Sequence, residues 1–267
     1  MNGPPETVLE AFGLSGSAVL LPGGQGDTWR CGAVVLKRAG LPAEAEWRAA
    51  VLDQLPESTA FRVARPVRSA SGAWVAFGWE ASELLAGATD VSRQDEVLTA
   101  GVAFHETVAG LPRPDFVDTR DDPWSDGDRV AWEERSIGGS PAYVELVSPL
   151  VAARRPVDLV AQAVHGDLPG NVMFADGLPP AIIDWPVYWR PPAWASAVAV
   201  ADALCWYDAE PELAARWSEL PEWGQMLVRA LIYRMATDEL AHGPEVWTRD
   251  RRAVYEPVIE LALSYVG

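Results

Sequence analysis

An α+β chain of two lobes, a small β-rich one followed by a larger helical one, is the fold that three observations predict. Short β-branched runs broken by glycine turns fill residues 18–79, with one helix among them. From about Asp90 onward the apolar residues fall at helical spacing instead. At 267 residues, with 49% hydrophobic and 22% charged, the chain is long and apolar enough to bury a substantial core. The boundary is placed after residue 80, giving an N-terminal lobe at 1–80 and a C-terminal lobe at 81–267.

Val8, Leu9, Ala11 and Phe12 give residues 6–14 the apolar face of a short helix. Residues 18–21 read as a strand, Pro22-Gly23-Gly24-Gln25-Gly26-Asp27 as a glycine-rich turn, and Trp29 onward as the return strand. Residues 33–38 are an apolar, β-branched run that ends in Lys37 and Arg38. Pro42 opens a helix through Leu55, with acids in its first turn where the helix dipole favours them. Residues 61–67 and 73–79 read as two more strands around a Ser71-Gly72 turn. In the second lobe 97–111 is helical and 112–128 is a loop rich in Pro, Asp and Gly. Helices are also expected at 130–134, 142–153 and 158–163. Strands at 172–174 and 181–184 hinge at Asp176-Gly177, and helices at 195–208, 210–220, 225–241 and 255–265 complete the chain.

A formal charge of −17 argues against a nucleic-acid partner, since binding a phosphate backbone needs clustered Lys and Arg. Cys31 and Cys205 are too few for a disulfide framework and read as free thiols of a reducing compartment. The N-terminus has neither a basic nor an apolar leader region, and no apolar run approaches the roughly 20 residues of a membrane span. The run at 198–204 is interrupted by Asp202. A cytoplasmic protein with no membrane partner is therefore expected, and nothing in the sequence sets its oligomeric state. His105, His165 and His242 show no HExxH spacing, and there is no paired CxxC, so zinc is not expected. The tryptophans near prolines, as in Tyr188-Trp189-Arg190-Pro191-Pro192-Ala193-Trp194, are read as packing groups.

The chemistry is concentrated in His165-Gly166-Asp167-Leu168-Pro169-Gly170-Asn171 and the downstream Ile182-Ile183-Asp184-Trp185. Asp167 supplies a carboxylate to orient or deprotonate a hydroxyl nucleophile. Asn171 and Asp184 supply hard oxygens suited to Mg²⁺. The 17-residue step from Asp167 to Asp184 fits a loop, a strand, a tight turn and a return strand. His165 is placed to brace the loop by hydrogen bonds. Such a set is what phosphoryl transfer from a nucleotide needs. Lys37, ending its strand, is the candidate for the nucleotide phosphates, and Gly24 and Gly26 would let backbone N–H groups approach them. The turn fits neither GxGxxG nor GxxxxGK[ST]. The carboxylate partner of Lys37 is expected on the next helix: Glu44, which shares a face with Trp47, Val51 and Leu55, or else Glu46.

At these residues the chain resembles the aminoglycoside phosphotransferase-like branch of the protein-kinase-like fold, which carries HGDxxxxN and a downstream apolar-apolar-Asp-Trp. The resemblance covers nearly the whole chain, with Phe104-His105 where relatives carry a Leu-His pair at the end of a long helix. It implies ATP or GTP and Mg²⁺ as cofactors, Asp167 as catalytic residue, Asn171 and Asp184 as metal ligands, and Lys37 as the phosphate lysine. It also implies that residues 77–81, with Glu80 and Ala81, form the adenine-facing strand and hinge. The implied activity is transfer of a phosphoryl group to a hydroxyl of a small molecule. The acidic segment 118–128 suggests a cationic or amino-sugar-like acceptor. The replacement of the HRD arginine by Gly166 speaks against a protein kinase.

The family pattern is not fully kept. Asp167 and Asn171 are four steps apart where the pattern has five. One residue fewer shortens the reach by up to ~3.5 Å, while Mg²⁺ coordination tolerates only a few tenths of an ångström around ~2.1 Å. A nucleotide-binding pseudo-enzyme is accordingly the alternative expectation. The segment after Asp184 also lacks the Gly-Asp-Pro run of many relatives.

Overall fold

The computed structural model describes residues 3–22 and 26–266. In chain order its first elements are α1 (Glu6–Ala11), β1 (Val19–Leu20), β2 (Thr28–Cys31), β3 (Val34–Arg38), α2 (Pro42–Gln54), β4 (Arg62–Val63), β5 (Val75–Ala76), β6 (Trp79–Glu83) and β7 (Ala88–Thr89). Then come α3 (Gln94–Val108), α4 (Phe116–Thr119), α5 (Pro123–Ala131), α6 (Pro141–Ala153), β8 (Gln162–His165), β9 (Val172–Phe174), β10 (Ala181–Ile182) and β11 (Val187–Arg190). The last helices are α7 (Pro192–Trp206), α8 (Glu212–Arg216), α9 (Trp223–His242) and α10 (Arg249–Ser264). The class is α+β, as expected.

Two compact units are present: Met1–Thr89 with Asn171–Val187, and Asp90–Gly170 with Tyr188–Gly267. The first unit runs past residue 80 because β6 crosses that point as a paired strand and β7 pairs with β9. It also reclaims 171–187, since β9 and β10 share a sheet with β4 and β7 in the order β4-β10-β9-β7.

In the first unit a five-stranded sheet has the order β1-β2-β3-β6-β5, with every pair antiparallel. The β3–β6 register sets Leu36 opposite Ala81 and Lys37 opposite Glu80. Side chains alternate along a strand, so Leu36, Trp79 and Ala81 turn to one face and pack with Cys31, with Val8 of α1 and with Phe12 just after it. Lys37 and Glu80 turn to the other. Burying each of the larger apolar side chains contributes about 1.5–3 kcal/mol.

The expected single strand at 73–79 is a hairpin instead. Phe77 and Gly78 have φ of +52° and +75°, the type I′ turn that matches strand twist. Residues 77–81 are thus a turn and the start of β6. The expected strand at 61–67 is cut to Arg62–Val63, and Pro66, lacking an N–H, makes only an isolated bridge to Ser82.

In the second unit α9 is the central helix, with α5, α6, α7 and α10 packed on it. It is buried on nearly every side, which explains its lack of a polar face. The expected loop at 112–128 contains α4 and α5. Asp122 caps α5 by accepting the N–H groups of Trp124 and Ser125 at 3.0 and 2.9 Å, and Ser125 Oγ accepts the Asp122 N–H at 3.2 Å. Residues 130–134 are the end of that helix and a turn rather than a helix of their own, with Glu133 at φ +64°. The helix expected at 158–163 does not form: 158–161 have no regular structure, and β8, which pairs with β11, begins at Gln162. Among the described residues no helix is long and apolar enough to cross a membrane.

Candidate active site

Each unit carries some of the candidate residues. In the first, Lys37 Nζ lies 2.9 Å from Asp184 Oδ2, with the side chains 31% and 43% exposed. Asp184 follows β10 directly after Ile183, whose N–H donates to the Asn171 carbonyl at 3.0 Å. The ladder pairs Val172 with Ile182, so Asn171 and Asp184 stand at the same end of one hairpin. This placement is set by the hairpin register alone. A carboxylate and an amide oxygen are hard donors, and Mg²⁺ bound to phosphates takes few protein ligands, so the donor set suits it. Asp184 has φ +49°, a left-handed conformation uncommon outside glycine.

Lys37 takes Asp184 as its carboxylate partner, neither Glu44 nor Glu46. Glu44 Oε1 instead accepts the Val187 N–H at 2.9 Å and lies 3.9 Å from Arg48 Nη1. Glu46 Oε1 accepts the Val75 N–H at 3.0 Å. Glu80 holds Arg48 Nη2 through both oxygens at 2.7 Å, and the Ala81 side chain is core. Gly24 lies outside the described residues, and Gly26 has φ +72°.

In the second unit the catalytic-motif loop leaves β8 through a pair of histidines. The His165 N–H donates to His105 Nε2 at 3.0 Å, and the Asp167 N–H donates to His165 Nδ1 at 3.2 Å. Burial, reinforced by His165, pushes the His105 imidazole down to about 3 and keeps it a neutral acceptor. His165 thus braces the loop. Gly166 cannot carry a side chain, since a Cβ there would sit 2.4 Å from a Tyr188 ring carbon. Leu168 anchors the loop by filling the notch over Gly101 of α3, where an added Cβ would meet it at 2.4 Å.

Asp167 is half-exposed, and its Oδ1 accepts from Arg234 Nη2 of α9 at 2.9 Å. Arg234 also donates through Nε to Asp202 Oδ1 of α7 at 2.7 Å and through Nη2 to Asp202 Oδ2. Burial pushes the Asp202 carboxyl up to about 6 against the pull of Arg234. For Arg234 the acids win over burial, and its guanidinium is held well above its usual value. The Tyr207 hydroxyl is raised by burial and then by Asp202 and Asp167. The motif reading missed Arg234 and Asp202. An acid inside the apolar run 198–204 was the available signal.

The acidic segment is largely engaged by arginines. Asp118 pairs with Arg113 at 2.6 Å, Asp122 with Arg120 at 3.2 Å, Asp126 with Arg129 at 2.9 Å and Asp128 with Arg190 at 2.8 Å. The tryptophan expectation holds at Trp194, which is fully buried against Tyr188, Tyr233 and Trp132.

No family model and no curated protein matches the chain. Solved structures do. A thermostable mutant of aminoglycoside phosphotransferase APH(4)-Ia, in ternary complex with ADP and hygromycin B, superposes with a TM-score of 0.62 at 15% identity over 96% of this chain and 97% of that one. Spectinomycin phosphotransferase APH(9)-Ia, in complex with ADP and spectinomycin, gives 0.61 at 12% over 97% and 96%. A choline kinase from Streptococcus pneumoniae gives 0.59 at 12% over 97% and 98%. At these identities the likeness is one of fold, and the chain has the two-lobed, protein-kinase-like architecture that these small-molecule kinases share.

Proposed function

We propose that the protein is a nucleotide-dependent phosphotransferase acting on a hydroxyl of a small molecule. The observation that carries this reading is the Lys37–Asp184 pair at 2.9 Å, with Asp184 in a left-handed conformation beside Asn171. Strained backbone at a motif carboxylate is where a site, rather than a structural turn, is expected. Asp184 and Asn171 would hold Mg²⁺, which neutralises charge on the transferring phosphates. Lys37 would bind those phosphates, with Gly24, Gly26, Glu80 and Ala81 in the nucleotide-binding set. Asp167 would accept the hydrogen bond of the acceptor hydroxyl and take its proton, while Arg234 fixes the orientation of the carboxylate. Structures of the same fold solved with ADP support an adenine nucleotide, while GTP rests on the sequence resemblance alone. The arginine partners of segment 118–128 weaken the argument for a cationic acceptor.

A second reading, a nucleotide-binding protein with little turnover, is favoured by the Arg234 contact, which ties up one oxygen of Asp167. Labelled Mg·ATP and Mg·GTP supplied with alcohols, aminosugars and nucleosides separate the two. Phosphorylated product that disappears in Asp167→Asn supports the enzyme. Nucleotide binding without product from any acceptor supports the second reading, and no nucleotide binding at all refutes both.

A further inference from the structure

Helix α2 carries an arginine to which the motif reading gives no role, and its contacts reach both the strand beside Lys37 and the main chain after Asp184. Arg48 Nη2 meets both Glu80 oxygens at 2.7 Å, and Arg48 Nη1 donates to the Trp185 carbonyl at 3.2 Å. Glu80 stands opposite Lys37 in the β3–β6 register, and Lys37 reaches Asp184. Two more contacts join the same helix to the same segment. The Val187 N–H donates to Glu44 Oε1 at 2.9 Å, and the Trp47 and Trp185 rings lie 5.6 Å apart.

We propose that Arg48 is a positioning residue for the Asp184 carboxylate, coupling α2 and β6 to the backbone that presents it to a divalent cation. This rests on the reading of Asp184 as a metal ligand. The left-handed backbone at Asp184 is strained and persists only where its surroundings over-determine it. Upstream, the hydrogen bond from Ile183 to Asn171 fixes the chain. Downstream, Arg48 and Glu44 fix Trp185 and Val187. Lys37 alone would pull on a carboxylate whose backbone could still relax. The planar guanidinium fork can hold a carboxylate and a carbonyl at once, which an ammonium on one flexible stem does not do as well. In this chain the helix is thus linked to the metal-side strand through an arginine, while the lysine goes directly to the metal-side acid.

The test is Mn²⁺ binding to the nucleotide-free full chain, followed by electron paramagnetic resonance, with thermal midpoints measured in parallel. Arg48→Met is expected to weaken Mn²⁺ binding about 10–100-fold, as loss of a ligand's supporting contact does. Arg48→Lys should recover part of that loss, and Asp184→Asn should remove the site. Amide exchange should quicken at Ile183 and Val187 in Arg48→Met while β2 and β3 stay protected. A folded Arg48→Met that binds Mn²⁺ within twofold of the parent overturns the positioning role and leaves the metal reading intact. A parent that binds no better than Asp184→Asn overturns both. If Arg48→Met does not fold, Glu80→Gln takes its place: at least threefold weakening supports the proposal and unchanged affinity overturns it.

Discussion

Asp184 and Asp167 carry the proposed chemistry from different units, and they are held in different ways. Asp184 sits on irregular, strained backbone, paired with a lysine that is itself one-third exposed. Its surroundings fix it mainly through hydrogen bonds to the main chain on either side. Asp167 lies on a loop pinned by histidines, and its side chain is steadied by Arg234, which is held in turn by the buried Asp202. Solvent screens the first arrangement, so its ion pair adds little to folding stability. The second depends on burial, and breaking it leaves a charge without a partner. A substitution at the first site should therefore act mostly on ligand binding. One behind Asp167 should act on folding as well.

Five substitutions sharpen or break that contrast. The largest effect is expected from Asp167→Asn, which should lower kcat by about 10²–10⁴-fold if the carboxylate is the general base. Mg·ATP affinity by calorimetry should stay within threefold of the parent. Next comes Arg234→Met. Stranding the buried Asp202 should cost about 3–5 kcal/mol in urea unfolding at pH 7.5. The cost should shrink at pH 5, where a protonated Asp202 needs no partner. A loss under 1 kcal/mol at pH 7.5 would break the contrast. In the parent, Asp202 titrates near 6 when folded against 3.8 unfolded, so its stabilising contribution is complete below about pH 4. That contribution is lost as pH rises through about 6, roughly 3 kcal/mol in all. Asp202→Asn should flatten this slope in stability measured across pH 4–6.5.

Gly101→Ala would drive a methyl into Leu168 and should cost about 1–3 kcal/mol, with a fall in kcat as the loop shifts. The smallest effect belongs to Phe77→Asn. Phe77 is 71% exposed at a positive φ, and an Asn-Gly pair suits a type I′ turn, so stability should rise by about 0.5–1 kcal/mol. A fall would show that the exposed ring contributes more than its backbone strain costs.

The parts legible in the sequence were those with strong local signatures. Apolar spacing located α3, α6, α7 and α9 to within a few residues, and the motif spacing brought Asn171 and Asp184 to one hairpin end. Where the chain was misread, a local cue was weak or tertiary pairing overrode it. Phe77-Gly78 does not advertise a type I′ turn, because phenylalanine is seldom found at positive φ. The β8 strand lies in a short apolar run that periodicity cannot tell from a helix, and only its pairing with β11 decides. Pro, Asp and Gly around Asp122 and Ser125 resembled a loop, and the cap they form on α5 appears only in the folded chain. Arg48 and Arg234 could not be assigned in advance, since side chains far apart in sequence define their roles, and Asp202 showed only as an acid inside an apolar run.

The hold of Leu168 over Gly101 divides the abbreviated loop into two halves of unequal tolerance. An engineer who wished to restore the missing residue would have to add it after Leu168, beside Pro169 and Gly170, where the chain already turns at a positive φ. An insertion before Leu168 would draw that plug from its socket and carry Asp167 away from Arg234. Loop length in this molecule is thus adjustable on the Asn171 side alone.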